Sequence, residues 1–333
     1  MRRLFSACLT ATALAIAAAS AQAGCAGPSL LDRLTPAERA SVETAAATTP
    51  FGEGILWRAQ KGDRQIDLIG TMHLFDPRHD ATMEAIAPTL AAADLILLEM
   101  TPTEERQMLT AMAEAPEVFF ITDGPTLPDL LPEDDWIALR DAARARQMPG
   151  FLAAKSQPWF LMASLGIPPC AMGDLIEGRF GLDKLIINVA TDLGTPMSAL
   201  EAWTTLPELF DEIPADEQLE MLALSVLSPD LQQEAFVAML ESYFQGQIAL
   251  IWEMSRMSAS FVPNMTEQEA EESFAMTQEL LLDRRNAAWL PVILEAADTH
   301  ERVVVAVGAA HLPDTTGVLR MLEQEGWTIS AQQ

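Results

Sequence analysis

The sequence predicts an α/β (α+β) fold with a central mixed β-sheet and a large helical insertion. Short apolar runs typical of buried strands lie near both ends of the chain, and helical patterns fill the middle. The two ends also resemble each other, because each contains a strand, a G-x-x-H motif, a turn, a helix and another strand. We therefore expect the ends to lie side by side in one sheet, with the helical middle as a cap.

The chain starts with a pattern typical of a secretory signal peptide. Arg2 and Arg3 precede an apolar stretch over residues 4–19, and the A-x-A sequence that ends at Ala23 is a small-residue cleavage site. A membrane anchor is one alternative, and a lipoprotein acylated at Cys25 is another. We expect cleavage after Ala23 and a mature protein that is periplasmic or secreted.

The composition is strongly acidic. The chain has 48 acidic and 20 basic residues, a formal net charge of −28, and cleavage removes two of the basic ones. Such a surface repels nucleic acid and anionic lipid, and it attracts divalent cations. No stretch after the leader is long and apolar enough to span a membrane. These features exclude a nucleic-acid partner and a membrane span in the mature chain.

Two cysteines, Cys25 and Cys170, remain after cleavage. In an oxidising compartment they allow one disulfide, which would tie the N-terminal arm to the middle of the chain. Two buried free thiols are the alternative. Neither cysteine lies in a C-x-x-C motif, so the sequence predicts neither a redox motif nor a zinc knuckle.

The first part of the chain predicts an arm and the first half of the sheet. Residues 24–50 form the arm with a short helix, and ILWRAQKGDRQIDLIG predicts two strands joined by a turn at residues 61–63. A helix over residues 82–93 leads to DLILLEM (residues 94–100), a nearly all-apolar strand with Glu99 near its C-terminal end. An apolar strand between helices usually lies inside a parallel or mixed sheet.

The middle of the chain is predicted to be mainly helical. A helix over residues 182–193 leads to a short strand, MSALE, and a later long helix starts with the capping pair Thr266 and Glu269. The sheet resumes at VVVAVG (residues 303–308) and ends with a helix and the edge strand WTIS. The predicted organisation is a signal peptide (1–23), an arm (24–50) and one domain (51–333), with a sheet core (51–101 and 297–333) and a helical cap (102–296).

Each G-x-x-H motif follows an apolar strand. Sites in open α/β sheets form at the carboxyl ends of strands, so we expect His73, His311 and Glu99 to meet there. The motif glycines, Gly70 and Gly308, permit a sharp turn or a close backbone approach. Two imidazoles and a carboxylate can bind zinc, manganese or cobalt and leave a position for water. Without a metal they would serve in acid–base catalysis, and a hydrogen-bonded structural role is the alternative for each histidine.

Three further polar features have roles that the sequence alone leaves to be decided. The Arg285-Asn286 pair interrupts an apolar helix, so it either lies on the solvated face or points into the site, where Arg285 would hold a carboxylate or stabilise an oxyanion. Asp183 is either a helix N-cap or a site residue. His79 lies in the polar turn DPRHD, and we expect it to be exposed to solvent.

Five stretches together resemble the TraB/GumN family of bacterial exported proteins. They are LIGTMHLF, AADLILLEM, GLDKLI with the following ATDLGTPMSALE, LLLDRRNAAW, and VVVAVGAAHLPDTTGVLRMLEQEGW. The resemblance covers residues 50–330. That family is related to the TIKI metalloproteases of animals and, more distantly, to erythromycin-esterase-like and ChaN-like proteins.

The resemblance implies one shared site. Its members would be the two motifs (Gly70 with His73, and Gly308 with His311), the strand-end acid Glu99 and the pair Arg285 and Asn286. The two histidines and Glu99 would hold a divalent ion (manganese, cobalt or zinc), and a carboxylate, Glu99, would act as general base. The Arg-Asn pair would stabilise the oxyanion or position the substrate.

Through the TIKI relatives, the resemblance implies a metal-dependent hydrolase, a peptidase whose partner is a peptide or protein substrate in the cell envelope. The ChaN-like relatives imply the alternative, a non-catalytic haem- or metal-binding protein or an accessory to envelope or polysaccharide assembly. A metal-free esterase with histidine as its base is a third hypothesis.

Overall fold

The computed structural model describes residues 24–258 and 266–332. The predicted signal peptide lies outside the described residues. The strands in chain order are β1 (Leu56–Lys61), β2 (Arg64–Thr71), β3 (Leu95–Leu98), β4 (Met197–Ala199), β5 (Arg302–Gly308) and β6 (Thr328–Ala331).

Helices surround these strands and fill the region between β3 and β5. The α-helices in chain order are α1 (Pro36–Thr48), α2 (His79–Ala92), α3 (Pro102–Glu114), α4 (Leu127–Leu130), α5 (Glu133–Ala145), α6 (Gly150–Lys155), α7 (Pro158–Leu165), α8 (Met172–Ile176), α9 (Leu182–Leu193), α10 (Thr205–Asp211), α11 (Ala215–Leu224), α12 (Pro229–Phe244), α13 (Ile248–Ser258), α14 (Glu267–Gln278), α15 (Arg284–Thr299) and α16 (Val318–Gln324). A π-helical turn (Glu279–Asp283) joins α14 to α15.

The six strands form one mixed sheet in the order β4-β3-β5-β2-β1-β6. The four strands β4, β3, β5 and β2 are parallel, and β1 runs antiparallel to both β2 and β6. Strands β2 and β5 pair directly, with Thr71 opposite Gly308, so the two G-x-x-H turns leave the sheet side by side. This arrangement confirms the predicted mixed sheet, and the short strand MSALE forms its edge at β4.

Helices cover both faces of the sheet. In β5, Val303, Val305 and Val307 pack on the face that carries α15 and α16, whereas Val304 and Ala306 pack on the face that carries α2 and α9. Because both faces are buried, the strand is apolar at nearly every position and shows no alternation. The result is a three-layer helix–sheet–helix core.

The helical region between β3 and β5 contains a second core. Buried leucines from α4, α5, α7 and α11 meet in it, away from the sheet. Within the described residues, no single helix is both long and apolar enough to cross a membrane. Only the bent pair Pro158–Leu165 with Pro169–Ile176, which turns by 73°, meets the length and composition test when taken together.

The N-terminal arm is attached at two places. Leu30 and Leu34 pack against α12 and α13, and Cys25 forms a disulfide with Cys170, which lies just before α8. The backbone N–H of Gly24 also donates to Asp174 Oδ2 on α8, at 3.3 Å.

Candidate functional site

The polar residues expected at the carboxyl edge of the sheet do meet there. His73 follows β2, Glu99 follows β3 and His311 follows β5. Arg285 and Asn286 lie at the start of α15 and point into this edge, so the solvated-face alternative for them is excluded. The carboxyl ends of parallel strands lie at the same edge of the sheet, which explains why residues more than two hundred positions apart are neighbours.

Arg285 is the centre of the site and is only 7% exposed. Its guanidinium donates to Glu99 Oε2 at 2.7 Å and to the carboxylate of Glu201, which follows β4. Its Nη1 donates to the Leu281 carbonyl oxygen at 3.0 Å and faces His311 Nε2 at 3.2 Å. Arginine has five N–H groups, and these contacts use all of them. Although burial opposes its charge, the contacts with Glu201 and Glu99 raise the pKa of Arg285.

Glu99 is ionised in this environment. Burial by itself would raise the pKa of Glu99, but the neighbouring imidazoles, the Arg285 charge and a short hydrogen bond from the Gly308 N–H (2.6 Å) lower it to about 2. A carboxylate with so low a pKa is a weak base, and it is well suited to hold a cation or to orient a ligand.

His311 is buried and uses both ring nitrogens. Asn286 Nδ2 donates to the Thr316 carbonyl oxygen at 3.0 Å, so its Oδ1 accepts the proton of His311 Nδ1 at 2.7 Å. The tautomer that follows leaves His311 Nε2 as the acceptor that faces Arg285. Burial lowers the pKa of His311 to about 4, so the ring is neutral at pH 7.

His73 has the opposite environment. Its side chain is 65% exposed, and its Nδ1 lies 3.2 Å from Asp183 Oδ1 on α9. The contact with the Asp183 carboxylate raises the pKa of His73 to about 9. Because Asp183 holds Nδ1, the free nitrogen that His73 offers to a ligand is Nε2.

The backbone next to β2 brings Asp183 to His73. The N–H of Gly181 donates to the His73 carbonyl oxygen (3.0 Å), and the N–H of Leu182 donates to that of Met72 (2.9 Å). A Cβ at Gly181 would lie 2.0 Å from the Met72 oxygen, so only glycine fits this contact. The N-cap of α9 is Gly181, so Asp183 is not the N-cap residue, and its carboxylate faces His73.

The space above Gly308 is where the predicted residues converge. A Cβ at this position would lie 3.2 Å from Glu99 Oε1, 3.6 Å from His311 Cδ2 and 4.0 Å from His73 Nε2. A side chain at position 308 would therefore crowd Glu99, and glycine keeps the region between the Glu99 carboxylate and the two imidazoles unobstructed.

The predicted metal ligands do not fit a resident divalent ion in this arrangement. His311 presents a ring carbon to the space above Gly308, and its Nε2 faces Arg285. The Arg285 guanidinium is already ion-paired with both Glu99 and Glu201. Across residues 24–258 and 266–332, no group of three or more His, Cys, Asp or Glu side chains is arranged to hold a metal ion. Metal binding stays a prediction of the sequence.

A pocket of about 430 Å³ opens onto the site. His73, Glu99, Asp183 and Arg285 line it, whereas His311 and Asn286 are not among its described lining residues. Two buried polar atoms in its wall, Thr71 Oγ1 and Asp183 Oδ1, have no aligned hydrogen-bond partner within the described structure. Asp183 Oδ1 faces His73 Nδ1 at 3.2 Å, and neither it nor Thr71 Oγ1 is open to solvent.

Glu201 is the site residue that the sequence reasoning missed. It binds Arg285, and its Oε2 accepts the indole N–H of Trp289 at 2.9 Å. A signal for it was present. Glu201 is the last residue of the stretch MSALE, much as Glu99 lies near the end of the stretch DLILLEM. Two carboxylates that close neighbouring strands require a shared cation, and Arg285 supplies it.

The expectation that His79 is exposed to solvent is wrong. His79 is fully buried at the start of α2, where Nε2 lies 3.0 Å from the Leu74 carbonyl oxygen and the ring packs against Tyr243 and Phe244. Burial lowers the pKa of His79, which keeps the ring neutral. The polar turn that precedes it misled the prediction, since Asp76 and Arg78 pair with each other and leave His79 to face inward.

Comparison with known protein families gives a match over nearly the whole chain. The model of the TraB/PrgY/gumN family matches residues 55–331. No curated protein matches the chain.

Proposed function

The chain belongs to the TraB/PrgY/gumN family, and we propose that it is a hydrolase of peptide bonds in which His73 transfers the proton. The observation that carries this proposal is the exposed imidazole of His73 beside the Asp183 carboxylate, in a pocket that Glu99 also lines. A carboxylate next to one ring nitrogen orients a histidine and stabilises its protonated form. His73 would thus act as a general base, and the Asp183 carboxylate would orient its ring.

The attacking water would occupy the space above Gly308, within reach of His73 Nε2 and Glu99 Oε1. In its neutral form, which becomes more populated as the pH rises towards 9, His73 takes a proton from this water as the oxygen bonds to the carbonyl carbon. The imidazolium then gives the proton to the leaving nitrogen as the C–N bond breaks, which releases an acid and an amine. A pKa near 9 suits the second step, because the leaving amine must be protonated.

Arg285 and Asn286 would act without donating a hydrogen bond to the substrate. Arg285 supplies positive charge nearby, but its N–H groups are all in use. Asn286 bonds to His311 and Thr316, so its role would be to position His311 rather than to touch the substrate.

The peptide bond is the substrate that the resemblance to the TIKI metalloproteases implies.

The test is a screen of a peptide library by mass spectrometry, with and without a chelator. We expect cleavage by the parent protein and by a control variant, His300→Ala, and a loss of at least about 100-fold in His73→Ala. Undiminished cleavage by a correctly folded His73→Ala protein would overturn the proposal. If chelation abolishes cleavage, and manganese, cobalt or zinc bound to the parent disappears in both His73→Ala and His311→Ala, the predicted metal site replaces this mechanism.

The carrier alternative has its own test. His73 is exposed at a pocket and has a free Nε2, which an axial haem ligand also requires. An absorbance band on haem titration that disappears in His73→Ala, without cleavage of any peptide, would favour a haem-binding protein. Cleavage without such a band supports the hydrolase.

A further inference from the structure

The pocket beside His73 has an extensive apolar wall that the chemistry at the bond does not use. Its apolar lining includes Met100, Met108, Ile187, Trp203 and Leu206. These residues come from four parts of the chain, so the wall is a product of the fold rather than of one local segment.

The Trp203 ring packs against an aromatic cluster. Its ring stacks on Phe119 with centroids 5.9 Å apart and an interplanar angle of 10°. Phe119 is fully buried and contacts the rings of Trp159 and Phe160 at 5.6 and 5.5 Å. A half-buried indole on such an aromatic cluster is a rigid surface, and rigid aromatic surfaces bind apolar groups with little loss of entropy.

Two lining residues are exposed although they are apolar. Met100 is 36% exposed and Phe180 is 39% exposed, and both line the pocket. A methionine adapts its shape to different neighbours, so Met100 and Met108 can adjust to groups of different shape. Water displaced from these side chains would favour binding of an apolar group.

The charged residues that line the pocket are all paired with one another. Arg285 binds Glu99 and Glu201, and Lys184 binds Glu105 at 2.7 Å. The remaining pair is His73 with Asp183. A charged substrate side chain would therefore lose its hydration in the pocket without gaining an ion partner. An apolar side chain has no such desolvation cost.

We propose that this pocket binds a large apolar side chain, aromatic or aliphatic, next to the bond that is cleaved, and that Trp203 determines this specificity. The inference rests on the proposed function, because the cleaved bond is placed at His73. It adds that the selected substrate residue is apolar and that the Trp203 side chain selects it.

Binding can be tested separately from catalysis. The probes are the N-acetyl amides of phenylalanine, leucine, alanine and aspartate, titrated calorimetrically into the His73→Ala protein, which binds without turnover. We expect the phenylalanine and leucine amides to bind at least about 10-fold more tightly than the other two. Trp203→Ala in the same background should abolish this preference, and Trp203→Phe should retain most of it.

A matched pair on α3 provides the control. Met108 lines the pocket, whereas its neighbour Leu109 is 57% exposed and is not among the described lining residues. Met108→Ala should weaken binding of the apolar probes, and Leu109→Ala should leave it unchanged. If Trp203→Ala does not fold, the Trp203→Phe and Met108→Ala variants still carry the test.

The outcomes separate the two proposals. Equal binding of all four probes, or a preference that survives Trp203→Ala, overturns the specificity inference even if the parent cleaves peptides in a His73-dependent way. An apolar preference that depends on Trp203, in a protein that cleaves no peptide, supports the binding site and overturns the proposed reaction. His73-dependent cleavage next to phenylalanine or leucine, lost in Trp203→Ala, supports both.

Discussion

The two G-x-x-H turns have the same sequence pattern and opposite environments. Both follow parallel strands and lie side by side. His73 is exposed, and Asp183 raises its pKa to about 9, whereas His311 is buried, and burial lowers its pKa to about 4. A motif at the end of a strand therefore determines where a histidine lies, but the elements packed around it determine its charge and its access to a ligand.

The largest expected difference between the two histidines is in activity. His73→Ala should lower kcat/KM by about 10²- to 10⁴-fold, because it removes the proposed proton-transfer group, and should leave the free energy of unfolding nearly unchanged. Kinetics on a cleaved peptide, together with urea denaturation, measure both quantities. A variant that loses stability rather than activity would show that His73 is the structural member of the pair.

The second difference is in stability. His311→Ala leaves Asn286 Oδ1 and one N–H of Arg285 without their buried partner, so we expect a loss of about 3 kcal/mol in the free energy of unfolding. Urea denaturation of this variant beside His300→Ala, which removes a partly exposed imidazole, measures the effect. Equal stability of the two variants would contradict the structural role of His311.

The third difference is in the pH dependence of stability. The folded pKa of His311 lies below the ordinary value of 6.5, so its contribution is fully present above pH 6.5 and is lost as the pH falls towards 4. The shift corresponds to about 3 kcal/mol. We expect the free energy of unfolding to fall over this range in the parent and to fall less in His311→Ala. The folded pKa of His73 is raised, so its contribution, screened by solvent, has the opposite sign and is lost as the pH rises towards 9.

The smallest expected change is in the pKa of His73 after its partner Asp183 is replaced. Asp183→Asn keeps the shape of the contact and removes its charge, so the pKa of His73 should fall from about 9 towards 6.5. The chain has four histidines, so NMR titration of the ring protons can follow His73 directly. The acid limb of the pH–rate profile should move by the same amount, and a pKa of His73 that does not change would exclude Asp183 as its cause.

Much of the fold was predictable because the signals are local. The strand DLILLEM is apolar at nearly every position, and α9 spans the predicted residues 182–193 because its apolar side chains repeat with the helical period. The capping pair Thr266 and Glu269 begins α14 as predicted. Parallel pairing then follows from buried strands that alternate with helices.

The site was predictable only as far as strand ends determine it. The positions of His73, Glu99 and His311 at one edge follow from the sheet, but the identity of each partner depends on how helices pack over that edge. The sequence left Arg285 and Asp183 open, and it gave no sign that Arg285 would bind two carboxylates and a histidine together. Local polarity also misled the prediction for His79, whose burial is due to the distant residues Tyr243 and Phe244.

The position of β5 in the sheet has a consequence for the order of assembly. This strand lies between β3 and β2 in the sheet, yet in the chain it follows both of them and the whole helical region. Until Arg302–Gly308 has emerged, β2 and β3 lack their common neighbour. The edge of the sheet that brings His73 and His311 together has then not yet formed. Such distant pairing slows folding. The nascent chain therefore lacks its central strand until the whole helical region between β3 and β5 has been synthesised.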